Sequence, residues 1–133
     1  MNNQQITEVP TWTATIWIGR KVRKTGEIID ADVVRTVLGD YCDENPFCVS
    51  LETTGYIYKG GGEPGFAIGL INYPRFPQSP EQLKARALEI ASRVQLACKQ
   101  LTCSIVFPDV TALLKYEPGV APWEVQDSKK EAA

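Results

Sequence analysis

From position 12 the chain alternates between apolar and polar residues. In "WTATIWIG" (12–19), Trp12, Ala14, Ile16 and Ile18 share one side, and Thr13, Thr15 and Trp17 share the other. A period of two predicts a strand with one face on a core. Residues 47–59, "FCVSLETTGYIYK", and 65–73, "GFAIGLINY", read as second and third strands, with a bulge expected at the Thr-Gly step inside the second. "TCSIVF" (102–107) predicts a fourth strand and "VTALLKY" (110–116) a further short one.

Two stretches switch to helical spacing. Val33, Val34, Val37, Leu38 and Tyr41 recur at intervals of three and four behind a cap at Asp30 or Asp32. The second is bounded more sharply. Ser79 stands at the N-cap, Pro80 at the first helical position and Gln82 at the third, a capping box with proline. Its buried stripe is expected to be Leu83, Ala87, Ile90, Ala91, Val94, Ala97 and Cys98.

The order β-α-β-β-α-β predicts a ferredoxin-like α+β fold, an antiparallel sheet with two helices on one face and a possible extra C-terminal strand. We expect a flexible N-terminal arm over 1–10, one domain over 11–116 and a C-terminal tail over 117–133. That topology sorts the loops to two ends of the sheet, called upper and lower below. Ile16, Ile18, Phe66, Ile68 and Leu70 should face the helices. Trp17, Ile71 and Tyr73 should lie on the open face, where Trp17 and Ile71 are candidate interface residues for a homo-oligomer. Coverage of that face by the C-terminal segment with Trp123 is the alternative.

Composition narrows the chemistry. The chain has 133 residues, a formal net charge of −2 and no histidine. His-based triads, dyads and metal sites are excluded, so acid–base work would fall to Asp, Glu, Lys, Tyr or Cys. The acidic balance argues against nucleic-acid binding. Short apolar runs and the polar start predict neither a membrane span nor a signal peptide, and hence a cytoplasmic protein. The cysteines, spaced C-x5-C at 42 and 48 and C-x4-C at 98 and 103, fall at opposite ends of the expected sheet. They predict buried thiols and no metal site; no other cofactor is expected.

Two clusters are candidate ligand sites. At the upper end Arg20, Lys21, Arg23, Lys24 and Lys59 gather around the Gly60-Gly61-Gly62 turn, where cations and open amides suit an anion. The glycines match neither phosphate-loop pattern, since a strand follows them instead of a helix. At the lower end "INYPRFP" (71–77) places Asn72, Tyr73, Arg75 and Phe76 on a proline-stiffened connection. Asn suits a base edge, rings suit stacking and Arg suits a phosphate. The ligand-binding candidates are therefore Asn72, Tyr73, Arg75, Phe76, Arg20, Arg23 and Lys59. Tyr56 and Tyr58 share one face of the second strand, where hydroxyls serve either a ligand or packing. No acid pair stands out as catalytic.

The combination "IWIG…G…TGYIYKGGGEPG…GLINYPRFP" resembles small ferredoxin-like proteins encoded by phages and prophages. Some proteins of that kind, the Thoeris anti-defence proteins among them, sequester nucleotide-derived immune signals without cleaving them. The resemblance implies a non-catalytic binding protein for a small anionic ligand, such as a cyclic or modified nucleotide. A protein–protein module acting through the open face is the alternative, and an enzyme using Tyr, Lys or Cys is a third reading.

Overall fold

The computed structural model describes residues 3–125. Seven elements follow one another: β1 (Thr13–Gly19), α1 (Ala31–Glu44), β2 (Ser50–Tyr58), β3 (Gly61–Ile71), α2 (Pro80–Cys98), β4 (Thr102–Val106) and β5 (Thr111–Lys115). The strands form one sheet in the order β2-β3-β1-β4-β5, every neighbour antiparallel. This is the ferredoxin-like α+β fold with an added edge strand.

β1 lies at the centre because its inward residues Ala14, Ile16 and Ile18 are all buried. They meet Phe66, Ile68 and Leu70 of β3 and Cys103 and Ile105 of β4 in one cluster. Each fully buried Ile, Leu or Phe in that cluster is worth about 1.5–3 kcal/mol of transfer free energy. From the helices, Val34, Leu38 and Tyr41 of α1 and Leu83, Ile90 and Val94 of α2 close it.

The helix ends follow the expected chemistry. The Asp30 carboxylate accepts from the Asp32 N–H, and Ser79 and Gln82 form the reciprocal capping box. The expected stripe of α2 needs one correction. Gln95, not Ala97, faces inward, and its Nε2 donates to the Leu101 carbonyl at 3.0 Å and the Leu114 carbonyl at 3.2 Å. A buried amide is tolerated there because both donors are used.

The β2–β3 hairpin is longer than its sequence suggests. β3 begins at Gly61 instead of 65, and the turn is only Lys59-Gly60, with Gly60 at φ +86°. Register runs unbroken from Ser50↔Gly69 to Tyr58↔Gly61, so no bulge interrupts it. Two further expectations change. Tyr73 lies beyond the end of β3, in a turn closed by the Phe76 N–H on the Tyr73 carbonyl. The tail expected from 117 instead packs as far as Glu124: Ala121 is fully buried, and Tyr116 meets Trp123 edge-on at 5.3 Å. The remainder of that tail and the first two residues of the arm lie outside the described residues.

Candidate functional site

At the upper end, β1 runs into a small hairpin over 20–29. Ile29 N–H donates to the Arg20 carbonyl and Val22 N–H to the Glu27 carbonyl, each at 2.8 Å. Val22 and Ile29 anchor it in the core, and Gly26 takes the positive φ of its turn. Lys21, Arg23 and Lys24 are thereby exposed on an ordered loop. Opposite them α2 ends with Lys99 in the left-handed region, which turns the chain back into β4. The Gln100 side chain ties the two segments, Nε2 donating to the Lys21 carbonyl at 2.8 Å.

Between these segments and the C-terminal turn lies a cavity of about 500 Å³, a volume that suits a nucleoside-sized ligand. Lys21, Arg23, Lys24 and Lys99 line it, together with Glu63, Gln100, Trp123 and Glu124. Glu63 reaches it across Gly19: a Cβ added there would meet Glu63 Oε1 at 2.7 Å and Gln100 Oε1 at 2.9 Å. The glycine leaves room for two oxygens to converge at the exit of the central strand. Glu124 is nearly buried and accepts from the Gly119 N–H.

Tyr56 lies opposite Glu63 in the β2–β3 ladder. Its ring crosses Gly65, where any side chain would strike the ring. Its hydroxyl is buried without a hydrogen-bond partner among the described residues. Burial, then the nearby Glu63 charge, pushes its pKa up to about 12. At neutral pH it therefore keeps its proton and can donate.

The candidate residues from the sequence divide between the two ends. Arg23 lines the upper cavity, whereas Arg20 is engaged elsewhere: its Nε donates to the Ile29 carbonyl at 2.8 Å and its guanidinium lies over Phe66. Lys59 is exposed in the hairpin turn and is not part of the cavity lining. At the lower end Asn72 is buried, its Nδ2 donating to the Pro10 carbonyl at 2.9 Å and its Oδ1 accepting from Gln78 N–H at 2.8 Å. Arg75 is exposed and lies over the ring of its neighbour Phe76. Burial, then the nearby Cys48 thiol, raises the pKa of Tyr73. A groove of about 400 Å³ at this end has Glu8 as its charged residue and no cation. Trp17 and Ile71 are part-exposed on the open face, with Val106 and Leu113 beside them in the register.

Glu63, Gln100 and Glu124 did not stand out in the sequence. Glu63 read as part of a glycine loop, and only the longer hairpin puts it on a strand facing Tyr56. A clue was present: Tyr56, Tyr58 and Glu63 share a face once the turn is two residues long.

No protein-family model matches the chain, and no characterised protein matches it in sequence. Solved structures do. A phage SAM lyase in complex with S-methyl-5'-thioadenosine matches with a TM-score of 0.68 at 14% identity, over 86% of this chain and 96% of that one. A phage SAM lyase without ligand matches with a TM-score of 0.62 at 17% identity, over 80% and 90% of the two chains. At these identities the likeness is one of fold. It overturns the expectation of a non-catalytic sequestering protein: the matched structures are lyases, so this fold does not argue against catalysis. The likeness to sponges such as the Thoeris group finds no counterpart among these structures.

Proposed function

We propose that the protein is an enzyme that breaks a carbon–sulfur bond of an adenosyl sulfonium and releases a thioadenosine. The observation that carries this reading is the nucleoside-sized cavity lined by Glu63 and Trp123, with Tyr56 opposite Glu63 in the strand ladder, in a chain with the fold of phage SAM lyases. Trp123 offers a ring for the base, and the Glu63 carboxylate suits a ribose hydroxyl or the sulfonium charge.

The chemistry fits a histidine-free site. When the bond breaks, its electron pair goes to sulfur, and the sulfonium leaves as a neutral thioether. No general acid is needed. The carbon that loses sulfur gains an electron pair either from the substrate's own carboxylate or from an adjacent C–H bond whose proton passes to a base. Neither route needs water or an oxidant. A site that binds the sulfonium without fully neutralising it leaves the driving force for that collapse intact.

Incubating the protein with S-adenosylmethionine and following release of methylthioadenosine by chromatography tests the proposal. Substrate that stays unchanged while the folded protein is present in stoichiometric amount would sink it. We extend the reading to a phage or prophage source and to a homo-oligomer assembled through the open face, since Trp17, Ile71, Val106 and Leu113 present apolar surface there. Trp17→Glu should reduce the mass measured by light scattering to that of one chain; a wild-type protein already of that mass rules out the oligomer.

A further inference from the structure

We infer that Lys21, Arg23, Lys24 and Lys99 form a receptor for a carboxylate, the one carried by the amino-acid end of the proposed sulfonium substrate. This inference rests on the reading above and adds which part of the substrate the basic rim selects.

The starting observation is a charge anomaly. The chain has 14 basic against 16 acidic residues, yet four of those cations line one cavity. Ion pairs among the described residues involve Arg35, Arg93 and Lys115, and none of the four. Two acids, Glu63 and Glu124, share the cavity with the four cations, and Glu124 also accepts from the Gly119 N–H, so cations outnumber acids in the lining.

The backbone that carries three of these cations is also held in place. Val22 and Ile29 bury the base of the loop, three backbone hydrogen bonds close it, and Gln100 clamps it to the end of α2. A merely solvated basic loop needs no such anchoring. A set of like charges carried on a fixed backbone around a concavity raises the local positive potential and attracts an anion. Arg23 supplies the planar fork that matches a carboxylate, and the three lysines add point charges. A cavity with Glu63 and cations together suits a zwitterion, which carries its sulfonium or ammonium and its carboxylate on separate atoms.

Calorimetry of the full chain separates the possibilities. The probes are S-adenosylhomocysteine, its decarboxylated derivative and inorganic pyrophosphate, each titrated into wild type and the double variant Lys21→Gln/Arg23→Gln. Both substitutions are on exposed side chains, and thermal unfolding of the variant checks that it folds. The inference expects wild type to prefer the carboxylate-bearing ligand by about tenfold, from two or three partly screened charge contacts. The variant should lose most of that preference while its affinity for the decarboxylated ligand is unchanged. The preference should also shrink as salt rises. Equal binding of the two nucleosides by wild type, or a preference that survives the double variant, overturns the carboxylate receptor and leaves the lyase reading standing. Pyrophosphate binding with neither nucleoside bound overturns both.

Discussion

The two ends of the sheet hold similar residue types and differ in whether those residues are already used. At the lower end Asn72 looked like a base reader, yet both halves of its amide are satisfied by Pro10 and Gln78. At the upper end the Tyr56 hydroxyl is buried without a partner among the described residues, and four cations line a cavity outside any of the ion pairs described there. A satisfied buried polar group reports on stability, whereas an unsatisfied one calls for an explanation beyond folding. At the upper end the four cations are open to a ligand while Gln100 and Glu124 are engaged within the protein; at the lower end Asn72 holds the chain together.

Substitutions can break this contrast. The largest expected effect is that of Glu63→Gln, which keeps the shape and removes the charge. We expect a fall in kcat/KM for the sulfonium of about 10- to 100-fold, the loss of a charge-assisted substrate contact of about 1.5–3 kcal/mol, with the thermal midpoint nearly unchanged. Activity within a few-fold of wild type would move the site away from Glu63. Asn72→Ala should do the reverse. It orphans the Gln78 N–H and the Pro10 carbonyl, which costs about 1–3 kcal/mol in denaturant unfolding, while kcat/KM holds. A loss of activity greater than the loss of stability would return the lower end to the site.

Alkaline pH sharpens the comparison between the core and the site. Burial raises the pKa of Cys98 to about 12 and that of Cys103 to about 11, both from 9.0. The folded state therefore favours the neutral thiols. Their contribution is fully present below pH 9 and is lost as pH rises from there through the folded values. Urea midpoints measured against pH should fall above about 9, and less so in a Cys98→Ala/Cys103→Ala variant compared with its own midpoint at neutral pH. Parallel curves would assign the alkaline loss to other groups. The smallest effect belongs to Lys59→Ala: in an exposed turn outside the cavity, it should leave both stability and activity within about 0.5 kcal/mol of wild type.

The local patterns read true wherever one period dominated. Ile16, Ile18, Phe66, Ile68 and Leu70 are buried as their alternation requires, and the Ser79–Gln82 box caps α2 as its spacing requires. The glycine run misled because three glycines look like a loop, while cross-strand pairing of Gly61 with Tyr58 and of Gly62 with Ile57 makes two of them strand. Gln95 was passed over because its partners, the Leu101 and Leu114 carbonyls, belong to the connection after the helix and to another strand.

Period and capping chemistry are local, so the chain alone determined the element order, the faces that are buried and the ferredoxin-like class. The site depends on which side chains remain unpaired after the strands have found their register and the loops their anchors. Glu63 met Gly19 and Gln100 only when β3 paired with β1 and α2 turned back at Lys99. Whether a polar group is spent or available is a property of its neighbours in space, and the tertiary structure alone decided that.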